Sequence, residues 1–475
     1  MVRNRRSFGA LHGQIAAKAR ALLHYFTAQG VTIAANLLYG LLCVRLLPSS
    51  EYAKFVVLFG VQGTLVVLMD VNFSGTLIPL IGDRIDNRKL IADYVASLRQ
   101  MSYWAFALVG AGTVVCYPLL VRHRNWNWTI VAVMILILLV STWFVRIGSA
   151  YGTVLILLRQ RPLWYRAQMI SSVGTLLVLG IFWKLHLLGP FTAILINVFG
   201  LIYVGTEYFL HARRLLGVRG TPTPELRKAI VGLAMPNVPQ AIFYALQGQI
   251  SLFLITYFGH TQGVSSVGAL ARLGQIFVIF KQGNMLFVEP YFAKLPKARM
   301  RSSYTITLAI TAAISLTVMQ VSFSFPQALL WLLGPQYSNL TTEVRLAVGA
   351  GAVSFFSSVL WSIHSARKFV YWWNVGLSIA LTVGVQVLFI VKADMSTVRG
   401  VLMLTLATNV ASLFINVLSG AYGFMKGGRE TEQQPILVPE STVEAEAYMD
   451  LYPIEAGSKA LAAETKKSDA KAINK

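Results

Sequence analysis

Residues 128–157 read WTIVAVMILILLVSTWFVRIGSAYGTVLIL, with a single charged side chain, Arg146, in the whole stretch. A helix needs about 20 consecutive apolar residues to cross a hydrocarbon core of roughly 30 Å. This stretch meets that need with residues to spare, so it reads as a membrane span. Similar runs recur on both sides of it. Twelve spans are expected, at about 25–47, 54–82, 102–121, 128–157, 163–183, 187–211, 229–258, 264–293, 302–324, 344–364, 368–391 and 398–424.

Composition agrees. The 475 residues are 56% hydrophobic and 13% charged, where a soluble domain carries about 25% charged residues. The apolar excess lies in long runs divided by short basic loops, which is how a polytopic membrane protein is written. Cys43 and Cys116 both sit inside apolar runs and support no disulfide framework or cysteine-rich metal site. The histidines are dispersed, and no nucleotide-binding glycine loop is present, so no cofactor is expected.

Net charge is +22. Beyond Gly427 nine acids face six bases, which leaves 35 bases and 10 acids on the membrane body. That excess points to anionic lipid headgroups as partners and to an anionic substrate. Nucleic acid is a poor partner for a body that lies mostly in lipid. Basic residues such as Arg84, Arg88, Lys89, Arg213, Arg214 and Arg219 gather on one side of the expected spans. The positive-inside rule makes that side cytoplasmic and, with an even number of spans, puts both termini there.

Five segments follow. Residues 1–20 form a basic interfacial segment, with no cleavable signal peptide expected. Residues 21–211 hold spans one to six, 212–228 a cytoplasmic linker, and 229–426 spans seven to twelve. Residues 427–475 form a mixed-charge tail expected to be disordered. The layout is an all-α integral membrane fold of about twelve helices in two six-helix lobes, related as a parallel repeat.

Polar side chains are costly in lipid and should face a bundle interior or a wet cavity. In span seven Asn237, Gln240, Tyr244, Gln247 and Ser251 follow one another at spacings of 3, 4, 3 and 4, one face of a continuous helix. Asn36 belongs to a weaker stripe in span one. Both stripes read either as a wall that hydrogen-bonds sugar hydroxyls or as polar packing between helices. In span eight Arg272, Gln275 and Gln282 share a face. Lys281, nine residues beyond Arg272, points about 180° away unless the helix is kinked or unwound. Arg272, Arg146 and Lys281 are cations suited to a pyrophosphate. A structural ion pair with Asp70 or Glu289, or snorkelling, is the other reading. Asp70 either carries a coupled ion or pairs with a cation.

Several short stretches resemble the Wzx-type polysaccharide flippases of the multidrug/oligosaccharidyl-lipid/polysaccharide exporter superfamily. They are LLCVRLLPSSEYA at 41–53, LMDVNF at 68–73, QISLFLITYFG at 249–259 with VGALARL at 267–273, and LLWLLGPQY at 329–337. Gln249 stands where many relatives carry Asp, and Asn72 where Gly is usual, which puts acid-based ion coupling at residue 249 in doubt. The resemblance implies a MATE-like fold that alternates access between two lobes. The implied substrate is a polyprenyl-diphosphate-linked oligosaccharide in a bacterial inner membrane, with Arg272 on the diphosphate. A polysaccharide polymerase and a chain-length regulator are the further partners implied. The competing readings are a small-molecule exporter of the same superfamily and a membrane-embedded polymerase or glycosyltransferase. No paired carboxylates support the last, and no enzyme is expected.

Overall fold

The computed structural model describes Thr27 and residues 29–425, less 72, 82–83, 123–125, 159, 236–237, 285–287, 368 and 370. The basic N-terminal segment and the acidic tail lie outside the described residues. Those described fall within one compact unit, and they are helical with no strand among them.

The first half runs α1 (Gln29–Leu46), α2 (Ser49–Asp70), α3 (Leu77–Ile81), α4 (Arg88–Val121), α5 (Trp128–Leu157), α6 (Arg161–Lys184) and α7 (Pro190–Leu216). The second runs α8 (Pro224–Ala234), α9 (Val238–Gln247), α10 (Ile250–Phe258), α11 (Thr261–Gly274), α12 (Ile276–Gly283), α13 (Glu289–Lys294), α14 (Lys297–Ser324), α15 (Pro326–Leu333), α16 (Thr341–Ala366), α17 (Trp372–Lys392) and α18 (Val398–Met425). Among the described residues ten helices are long and apolar enough to cross a membrane alone, and eleven crossings result if the bent pair α9–α10 counts as one. The remaining expected span, the eighth at 264–293, is divided into α11, α12 and α13.

Local chemistry sets the ends. Asn87 caps α4 by accepting from the Leu90 backbone N–H at 3.0 Å, and Asn127 caps α5 through the Thr129 N–H at 3.0 Å. Gly217, at φ +66°, stops α7 in the left-handed conformation that glycine adopts without strain. The 34 residues of α4 extend about 51 Å, well past a hydrocarbon core. Its first turns, which the sequence pattern assigns to a loop, are helix beyond the lipid.

The connection after Gly217 lies along those turns. The Thr221 backbone N–H donates to Asp93 at 2.7 Å, the Thr223 N–H to Ser97 Oγ at 3.0 Å, and Lys89 to the Arg219 carbonyl at 3.0 Å. Gly220 fits so closely that a Cβ there would stand 1.9 Å from the Ala92 carbonyl oxygen.

Within the first half α5 packs along α7, and within the second α16 packs along α18. Between the halves α2 packs against α9, α10 and α11. It is the most deeply buried of the spans, because protein rather than lipid surrounds it. Glycines bring these helices together: a Cβ on Gly60 would meet Leu252 at 2.2 Å, and one on Gly268 would meet Val56 at 2.5 Å. Close approach through small residues is the usual basis of helix packing in lipid.

Candidate functional site

Spans seven and eight are both interrupted. The α9 and α10 axes differ by 48° across Gly248 and Gln249, and α11 ends at Gly274 with α12 starting at Ile276. Glycine at each break weakens the helix and removes the side chain that would fill the gap. Many secondary transporters place their binding groups at discontinuous helices.

A cavity of about 520 Å³ opens at these breaks. Gln247, Gln249, Arg272, Gln275 and Lys281 line it from the interrupted spans, with Ser354 from α16 and Thr405, Thr408 and Asn409 from α18. Lys281 Nζ donates to Ser354 Oγ at 3.0 Å, and Ser251 shares a 2.6 Å hydrogen bond with Thr405. Among the described residues, none that lines the cavity is acidic. A negative group would therefore meet two cations and several amides and hydroxyls, with no carboxylate repelling it.

Arg272 and Lys281 would point to opposite sides of one continuous helix, and both line the cavity, Arg272 beside Phe59 of α2 and Lys281 on Ser354 of α16. The bend at Gly248 alters span seven. Its expected continuous face is cut, so Gln247 and Ser251 line the cavity while Tyr244, 44% exposed, does not. Asn237 lies outside the described residues, and Gln240 and Gln282 are described by their backbone only. Asn36 is exposed on α1 and is not among the lining residues.

Arg146 and Asp70 stand elsewhere, buried together in the first half as an ion pair. Arg146 Nε also donates to Ser102 Oγ at 2.8 Å, and its Nη1 to Ser74 Oγ at 2.8 Å. Asp70 accepts from the Ser74 N–H at 3.1 Å and from Ser149 Oγ at 3.1 Å. The expectations of Arg146 as a substrate cation and Asp70 as an ion carrier give way to the ion-pair reading, since each neutralises the other. The pair also holds the end of α2, where Val71 has φ +37°, a strained backbone for a β-branched residue.

Among the described residues the first half adds only Val56, Phe59 and Gly60 of α2 to the cavity. Polar groups from both halves were the expectation; those present come from the second. The polar residues of α18 went unread in the sequence. Thr405, Thr408, Asn409, Ser412 and Asn416 recur at helical spacing in the last span, which was the available signal.

At the end of the molecule that bears Pro48, the halves are joined by polar contacts. Ser49 Oγ donates to Ser265 Oγ at 2.8 Å, and Ser265 Oγ lies 2.7 Å from the Tyr337 hydroxyl. Gln336 Nε2 donates to the Val44 and Leu47 carbonyls at 3.0 and 3.3 Å. The Arg45 guanidinium lies 4.8 Å from the Trp331 ring centre.

No family model and no curated protein matches the chain. Solved structures do. The lipid II flippase MurJ in an inward closed conformation aligns with a TM-score of 0.62 at 10% identity, over 91% of this chain and 97% of that one. The chain shares its fold with that structure. An inward-facing MATE multidrug resistance transporter of the MOP superfamily aligns at 0.58 with 14% identity, over 85% and 96% of the two chains. A MATE structure in the bent conformation aligns at 0.53 with 15% identity, over 91% and 97%. At these identities the likeness is one of fold, and it makes the chain a multi-pass membrane protein. What the cavity takes has to be argued from the side chains that line it.

Proposed function

We propose that the protein is a flippase that carries a polyprenyl-diphosphate-linked oligosaccharide across a bacterial inner membrane, with both termini cytoplasmic. One observation carries the reading: Arg272 and Lys281 line a cavity with no acid among the described residues of its wall. Arginine pairs with phosphate oxygens through two parallel hydrogen bonds, and lysine adds a second, compact charge. The amides of Gln247, Gln249, Gln275 and Asn409 supply donors and acceptors for sugar hydroxyls. About 520 Å³ is the size of a small-molecule site. It takes the charged head and the adjoining sugar, and the rest of the glycan enters as α2 moves away from α10–α12. The polyprenyl tail stays in the bilayer. Anionic lipids around the basic loops, and a polysaccharide polymerase and a chain-length regulator, are the partners this reading implies.

Vesicles containing the purified protein and a lipid-linked oligosaccharide test it, scored by how much glycan becomes accessible to an added glycosidase. Protein-dependent movement that is lost in Arg272→Gln supports the flippase. Efflux of cationic dyes with no glycan movement would favour a multidrug exporter instead, an outcome that the cavity's positive charge opposes.

A further inference from the structure

Arg272 differs from the other buried arginine of the bundle. Arg146 is neutralised by Asp70 within its own half. Arg272 is only 7% exposed, yet among the described residues it is in none of the ion pairs. Its guanidinium reaches out of the second half and lies over the Phe59 ring, 4.5 Å from the centre, with Phe55 at 5.9 Å. Tyr52, Phe55 and Phe59 stack along one face of α2, with ring centres 5.9 and 5.7 Å apart. The opposite wall is the α1 backbone at Gly40, where a Cβ would stand 3.1 Å from Arg272 Nη1 and 3.2 Å from its Cδ. Two helices of the first half thus form a slot fitted to a guanidinium that belongs to the second. Phe59 lines the cavity beside Arg272, so the same cation has two alternative places to dock.

We propose that Phe59 and Gly40 form a resting socket for Arg272, which an anionic substrate has to empty before it is held. Phe59 is then a positioning residue that acts through Arg272. A cation over an aromatic face gains about 0.5–1 kcal/mol when exposed and about 2 kcal/mol when desolvated, less than a phosphate gripped by paired, charge-assisted bonds. An anion in the cavity therefore wins the guanidinium. Its departure removes a contact that joins the halves, so that binding of the head group loosens α11 from α1 and α2. Neutral or cationic molecules leave the socket occupied and the halves joined. The link between substrate charge and lobe movement is this one side chain. The inference rests on the proposed reading that Arg272 receives an anion.

Inorganic pyrophosphate, titrated onto the purified full-length protein in nanodiscs of uncharged lipid, is the probe. Phe59→Leu removes the ring face and should tighten pyrophosphate binding about 2- to 25-fold. Gly40→Ala should tighten it too, since its Cβ crowds the guanidinium. Phe59→Trp, with a stronger cation–π face, should weaken binding. Loss of packing alone would not move these three variants in opposite directions, and a thermal melt of each identifies a folding defect. If Arg272→Gln abolishes binding while all three socket variants match the wild type, the socket is wrong and the anion-site reading stands. Pyrophosphate binding that is absent, or indifferent to Arg272→Gln and Lys281→Gln, overturns that reading and the socket with it.

Discussion

Arg146 and Lys281, two cations within the bundle, meet different fates, and neighbouring residues decide which. Arg146 has Asp70 beside it and becomes part of the scaffold. Removing one partner of such a pair leaves an uncompensated buried charge at a cost of about 3–5 kcal/mol. Arg146→Ala should therefore lower the thermal stability of the purified protein sharply. Replacing both Arg146 and Asp70 by apolar residues of similar volume should lose much less. Equal losses for the single and double variants would show that the pair is not what stabilises that region. Lys281, by contrast, has a serine hydroxyl for a partner and faces the cavity. A hydrogen bond to a charged group is worth about 1.5–3 kcal/mol, so Lys281→Gln should weaken pyrophosphate binding on the order of tenfold. Its melting temperature should stay near that of the wild type. Weakened binding together with a collapse of the fold would assign Lys281 a structural part instead.

At the scale of elements, the interruptions matter more than the helices. Periodicity assigns a direction to every residue of an unbroken helix, and that reasoning separates Arg272 from Lys281 while aligning Tyr244 with Gln247. The cavity wall nevertheless includes both Arg272 and Lys281, and it includes Gln247 without Tyr244, whose helix bends at Gly248. Helix length was legible to within a turn or two where apolar runs end in Asn or Gly caps. The start of α4 was not, because charged residues extend a helix into water as readily as they form a loop. The connection between the halves is anchored to that start by Asp93, Ser97 and Lys89. Gly220→Ala would put a Cβ against the Ala92 carbonyl and should free the segment. Trypsin should then cut after Arg219 several times faster than in the wild type. An unchanged digestion rate would show that the segment absorbs the extra carbon without leaving α4.

For the molecule as a whole, movement of the halves requires that their contacts at the Pro48 end part. Ser49 and Ser265 face each other there with their hydroxyl oxygens 2.8 Å apart. A Ser49→Cys/Ser265→Cys protein, with Cys43 and Cys116 replaced by alanine, should form a disulfide under mild oxidation. Glycan movement in vesicles should stop on oxidation and return on reduction. Full activity in the cross-linked state would mean that this end stays shut throughout the cycle.

What the sequence determined by itself was the class of molecule. Runs of apolar residues of bilayer length, divided by basic loops, leave helices crossing a membrane as the only structure that satisfies the backbone. The same runs lead to an expectation of about twelve passes in two halves; among the described residues ten helices, or eleven crossings with the bent pair, are long and apolar enough. Arg272 and Gln275 could also be picked out, because a polar side chain in lipid needs an explanation wherever it sits. Tertiary structure alone decided which of these groups meet. Pairing Arg146 with Asp70, seating Lys281 on Ser354, and setting Arg272 against Phe59 and Gly40 all depend on helices distant in the chain. Distances across a bundle and rotations at a glycine leave no periodic trace in the order of residues.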